Sequence, residues 1–244
     1  MCCRNSERGS KVNVVRTAAV ACGVLALVGC NSPPRVVRYR LTIEIEDSGV
    51  IRTGSVVQEE HCTFNDGLLK GLGSAVDCGA KGEALVVDLG EKGLLFTVLK
   101  RDEANPASLE PFGLLVDARR DILDKIGLTS SAMARIAKAS GSTEIGLNKL
   151  PLLVRFRDLN DPKTVERIDP RDLATSFGLE VGLKRATIEV VHDPLTTGIE
   201  KRLSWLVGGG LEKPLFPRVG PLRNTSDVPQ VEDLTDGDFW RFMQ

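Results

Sequence analysis

Long hydrophobic runs are missing from this chain. Its longest unbroken apolar or small stretch, Thr17–Gly29 (TAAVACGVLALVG), holds thirteen residues, whereas a membrane-spanning helix needs about 20. That disfavours an uncleaved transmembrane anchor. Histidine is nearly missing as well: His61 and His192 are the only two, so bases for nucleophilic catalysis are scarce. No Gly-x-Ser-x-Gly elbow is present, and no Cys-x-x-Cys pair suggests zinc. The Gly71-Leu72-Gly73 stretch lacks the third glycine of a dinucleotide fingerprint and the Gly-Lys-Ser/Thr of a phosphate loop. We therefore expect no cofactor, no metal and no assignable catalytic residue. There is no excess of positive charge, with 32 basic against 33 acidic residues, which argues against a nucleic-acid partner.

What is there begins with a targeting pattern. Arg4, Arg8, Lys11 and Arg16 stand against the single acid Glu7, and the thirteen-residue apolar run follows. A basic stretch, 7–15 apolar residues and a small residue make a secretory signal. Its end, Leu27-Val28-Gly29-Cys30, resembles the lipobox of bacterial lipoproteins. The resemblance implies cleavage before Cys30, lipid on its thiol, and a location in the bacterial cell envelope, anchored to the membrane and facing the periplasm. Asn31 is not the aspartate associated with inner-membrane retention, which favours the outer membrane. More than one acyl chain gives stable attachment, at about 0.8 kcal/mol per buried CH₂.

On this reading residues 1–29 are a signal peptide, 30–36 a Pro-containing tether, 37–206 a single domain and 207–244 an irregular tail. The portion from Cys30 on keeps 28 basic against 32 acidic residues, a net charge of −4. Cys2, Cys3 and Cys22 leave with the signal and Cys30 carries lipid. Cys62 and Cys78 remain as an even pair in an oxidising compartment, and we expect them to form a disulfide. A loop of that size stabilises by about 3 kcal/mol in the chain-entropy account.

Along the chain, Val37, Tyr39, Leu41, Ile43 and Ile45 alternate with polar residues, the mark of a half-buried strand. Asp47-Ser48-Gly49 supplies a three-residue hairpin loop, and the return strand runs over 50–59. Gly54 inside it marks a bulge or a close approach. A Gly-rich loop follows over 61–81, then strands at 84–89 and 94–100. The spacing predicts helices over 115–126, ended by Gly127, and from Ser130 or Ser131 to Gly141. A strand is expected over 151–157, a short one over 164–168 and a last one over 183–192. Asp169-Pro170 is read as a helix start. The fold class is therefore α+β: an N-terminal antiparallel meander, two central helices, then a strand-helix-strand block.

Two blocks of text carry a further resemblance. One is Tyr39-Arg40-Leu41-Thr42-Ile43-Glu44-Ile45 with Gly49, Arg52-Thr53-Gly54-Ser55-Val56-Val57 and Gly82-Glu83-Ala84. The other runs from Leu150 to Asp158 through Asp161-Pro162, Val165, Asp169-Pro170 and Leu173 to Thr197-Gly198-Ile199-Glu200 and Trp205-Leu206. Together they resemble a family of uncharacterised proteobacterial envelope proteins, which implies one domain across most of 38–206 and assigns no activity.

The favoured function is a lipid-anchored, non-catalytic binding or assembly component. One alternative is an envelope hydrolase built on His192 and Asp193, with Thr196 and Thr197 nearby. Another is an inhibitor-type lipoprotein directed at a secreted toxin. Asp158, Asn160, Asp161 and Glu166 faintly suggest calcium, but Pro162 and Lys163 stand where an EF-hand loop needs an oxygen ligand and glycine, so a turn is preferred. Arg38/Arg40 and Arg155/Arg157 read as solvated strand faces that can also meet an acidic partner or headgroups. Phe239, Trp240, Phe242 and Met243 end the chain with apolar groups that either fold back or contact a partner, a liability unless covered.

Overall fold

Alternation dictates the first sheet. The computed structural model describes residues 35–64, 76–123, 128–206, 214–215, 231 and 233–241. Strand β1 (Arg35–Asp47) buries every second residue, and β2 (Val50–Phe64) returns beside it in register from Asp47↔Val50 to Arg35↔Cys62. The turn is tighter than the sequence suggests. Only Ser48 and Gly49 lie between the strands, both at positive φ (52° and 81°), as the right-handed strand twist favours.

Strand β3 (Val76–Glu83) pairs antiparallel with β2. This corrects the expected loop over 61–81: its described ends are strand, with both cysteines inside the ladder. Two further strands, β4 (Leu85–Asp88) and β5 (Leu94–Thr97), do not continue that sheet. They start a second one with β7 (Leu153–Phe156) and β8 (Val165–Ile168), in the order β4-β5-β7-β8. The expected single meander is therefore divided between two sheets, the chain changing sheet at Ala84. The first sheet is completed by β6 (Ser142–Ile145), β9 (Val181–Val191) and β10 (Trp240–Arg241), giving the order β10-β3-β2-β1-β9-β6. Among the described residues the result is mixed α+β, with antiparallel sheets and three short α-helices.

The helices are α1 (Pro111–Ala118), α2 (Ser130–Ile136) and α3 (Ala174–Phe177). Helix α1 starts earlier than its periodicity suggests, because Pro111 sits at its first turn, where a missing N–H costs nothing. Gly127 lies outside the described residues. The cap of α2 is Thr129, whose hydroxyl accepts from Ala132 N, not Ser130 or Ser131. Asp169-Pro170 does not start a helix: Asp169 accepts from Arg171 N in a turn, and Asp172 accepts from Thr175 N as α3 begins. The same side-chain chemistry serves turns and caps alike.

The inward faces of the two sheets meet in one core. Tyr39, Leu41, Ile43 and Ile45 pack in one cluster with Leu85, Val87, Leu95 and Leu153, closed by Leu114 and Leu115 of α1 and Met133 and Ile136 of α2. The outer face of the second sheet has its own cover. Phe96, Val154 and Phe156 lie under Ile199, Leu203, Leu206, Leu234 and Phe239. The stretch expected to be an irregular tail thus supplies core residues and, through β10, an edge strand.

The close approach at Gly54 is what brings the sheets together. A Cβ there would lie 2.2 Å from the Val86 carbonyl oxygen and 2.9 Å from Val87 Cγ2. Backbone cannot give way as a flexible side chain does. Overpacking of this kind costs typically 1–3 kcal/mol and occasionally more, so Gly54→Ala is expected to lower stability by about 3 kcal/mol. At roughly 2–4 °C per kcal/mol, thermal unfolding checks this as a fall of about 6–12 °C. An unchanged midpoint would show that the sheets separate freely.

Candidate functional site

The inward row of β2 reads Val56, Gln58, Glu60, Cys62 and Phe64, all buried. Three of these five are apolar or sulfur-bearing; Gln58 and Glu60 are not. Cys62 stands directly opposite Cys78, and the two form a disulfide with Cα atoms 4.2 Å apart, the spacing of a non-hydrogen-bonded cross-strand pair. Cys62 is fully buried, while Cys78 is half-buried.

Gln58 is engaged at both ends of its amide. Tyr39, opposite it on β1, donates its hydroxyl to Gln58 Oε1 at 2.8 Å, and Gln58 Nε2 donates to the Glu83 carbonyl at 2.9 Å. Glu60 is not engaged. It is 0% exposed, and neither carboxyl oxygen has a hydrogen-bond partner. Its neighbours across the ladder are Val37 and Ala80. Burial, reinforced by the Glu110 carboxylate just before α1, raises its pKa from 4.5 to about 8, against the pull of Arg241 on β10. Burial, with Glu60 adding to it, also pushes the Tyr39 phenol well above its usual value. At neutral pH Glu60 is thus a neutral carboxylic acid, two residues from a disulfide on the same strand face.

Other buried acids show what satisfaction looks like. Glu83 accepts from Gly198 N at 2.8 Å and Ile199 N at 3.1 Å, tying the segment after β9 to the end of β3. Asp102, 2% exposed, takes both ends of the Arg167 guanidinium at 3.0 and 2.6 Å. A buried polar group left unpaired costs roughly 1–3 kcal/mol, so Glu60 stands out by contrast.

The residues singled out from sequence fare unevenly. Cys30, Phe242 and the Gly71–Gly73 stretch lie outside the described residues. His192 lines a shallow groove of about 190 Å³ with Val36, Val37, Arg38 and Val190. Asp193 pairs with Arg40, and the Thr196 hydroxyl accepts from Val57 N. The acid that a triad would need to orient the imidazole is held by an arginine. His61 sits on the opposite face of β2 from Cys62, by strand alternation.

Asp158 accepts from Asn160 N and Asp161 from Lys163 N, both local turns, and Glu166 pairs with Arg155 and Arg157. Arg38 pairs with Glu59, and Arg40 also reaches Glu189. Phe239 is a correction. Its ring is fully buried, 5.6 Å from Phe156 and 5.5 Å from Trp205 between ring centres, so it faces the core and not a partner. Trp240 is half-buried in β10, opposite Glu83.

No protein-family model, curated protein or solved structure matches this chain. Among the described residues, no helix is long and apolar enough to cross a membrane.

Proposed function

We propose that this protein is a lipid-anchored component of the bacterial cell envelope, held through acyl chains on Cys30 and serving as a non-catalytic binding or assembly partner. The observation that carries this is Leu27-Val28-Gly29-Cys30, placed directly behind a basic segment and a thirteen-residue apolar run. The Cys62–Cys78 disulfide supports it, since such bonds persist in oxidising compartments. The resemblance of residues 38–206 to proteobacterial envelope proteins points the same way.

Such anchoring would have a direction. Anchoring through Cys30, at most about 17 Å from Arg35 along the chain, would set the start of β1 near the membrane. Val50 and Ile51 at the start of β2 and Leu179 before β9, exposed at 54%, 41% and 96%, lie at the far end. There Ser48 N donates to the Glu180 carbonyl, joining the hairpin tip to that turn. On this proposal these exposed apolar residues at the far end are where a partner docks.

Replacing Cys30 by Ala should move the protein out of the membrane fraction or leave it with its leader uncut. Chemical crosslinking in intact cells should capture an envelope protein with the wild type, and capture it less with Val50→Glu combined with Leu179→Glu. Membrane retention of the Cys30 variant in processed form would contradict the proposal.

A further inference from the structure

We propose that the Cys62–Cys78 disulfide is a thiol-exchange site, with Glu60 as the buried acid that protonates the departing Cys62 sulfur. The inference is independent of lipid attachment and adds a redox chemistry to the binding role.

Three placements carry it. First, the two cysteines are unequally exposed: Cys62 is fully buried, whereas Cys78, packed at the edge of the same core, is half-buried. An incoming thiolate therefore meets Cys78, and Cys62 is the leaving group. Second, Cys62 leaves into an apolar interior, where a thiolate is strongly disfavoured, so the step needs a proton close at hand. Third, Glu60 is the next inward residue along the same strand, about 7 Å away between Cα atoms. It is fully buried and its carboxyl makes no hydrogen bond, so it is free to turn toward Cys62 Sγ as that sulfur leaves. Burial keeps that proton on the carboxyl at neutral pH.

The step balances as follows. A thiolate from a small-molecule or protein thiol attacks Cys78 Sγ, forming a mixed disulfide as the Cys62–Cys78 bond breaks. The bonding electron pair leaves on Cys62 Sγ, which takes the Glu60 proton. The products are the mixed disulfide at Cys78, a Cys62 thiol and a Glu60 carboxylate. Three groups face that carboxylate from neighbouring elements. They are Arg241 on β10, which favours it, and Glu110 and Tyr39, whose charge or ionisation opposes it. β3 presents only Ala80 opposite Glu60. In the reverse direction the carboxylate takes the proton back as Cys62 attacks the mixed disulfide.

The test uses the full-length protein in detergent micelles, with dithiothreitol and glutathione as thiols. The quantity read is the exchange rate per unit of thiolate, from pH 6 to pH 10. With Glu60 as acid, the wild-type rate falls as pH passes about 8. Glu60→Gln, which has the shape of the protonated acid but no transferable proton, exchanges about 100-fold more slowly at pH 7, with no such fall. A variant rate equal to the wild type's would overturn the proposal. So would a wild-type profile flat across the range, a measurement that does not depend on the variant folding.

Discussion

Glu60→Gln is expected to stabilise the protein, increasingly so as pH rises. An acid whose folded pKa lies above its unfolded value keeps its proton better when folded. Its stabilising share is therefore fully present below about 4.5 and lost as pH climbs to about 8. With 1.36 kcal/mol per pKa unit, the loss reaches on the order of 5 kcal/mol. The amide carries no such penalty. Urea unfolding of wild type and variant should give nearly equal stabilities at pH 4 and a gap of a few kcal/mol in the variant's favour at pH 9. Taking the difference between the two proteins cancels the opposite trend from acids such as Asp47 and Asp88, whose pKa values are lowered by Lys92 and by the Gly90 N–H respectively. A constant gap across pH would mean that Glu60 is solvated or ionised in its site.

Phe239→Ala should be the most damaging single truncation among the C-terminal residues. The ring contacts Phe96, Phe156 and Trp205 at centroid distances of 6.3, 5.6 and 5.5 Å. It closes the outer face of the second sheet together with Leu234. Phe→Ala in a core costs about 3–5 kcal/mol, and offset or edge-on ring pairs add to plain burial. The backbone is tied in as well: Ala84 N donates to the Phe239 carbonyl at 2.9 Å, and Leu99 N to that of Asp238 at 2.6 Å. Loss of the ring should also expose Trp205 and redden its emission. A stability change below about 1 kcal/mol would mean that the C-terminal segment is not part of the core.

What sequence makes legible here follows from how local its cause is. The alternation in β1 survives intact because one face is buried along its whole length. At Gly54 the sequence offers a bulge or a close approach, and the structure gives the second, because only a missing side chain permits it. The helix boundaries read less well. Pro111 and Pro170 look alike in sequence, yet only the first opens a helix, because packing against the sheet decides between turn and helix. Strands β3 and β6 escape notice since Gly79, Lys81 and Ser142 break the hydrophobic pattern, and long-range pairing supplies what propensity lacks.

Glu60 could have been found from parity alone: it occupies an inward slot between Val56 and Cys62, where an acid is out of place. The role of Phe239 could not, because it depends on a return of the chain to the outer face of β5 and β7, the nearer of which ends more than eighty residues earlier.

The central claim is that acyl chains on residue 30 hold a disulfide-bearing α+β domain at the envelope. Mass spectrometry of the N-terminal peptide of protein purified from native membranes tests it most directly. The account predicts a chain beginning at Cys30 with diacylglycerol on its sulfur. An unmodified Cys30, or a peptide still carrying residues 1–29, would contradict it.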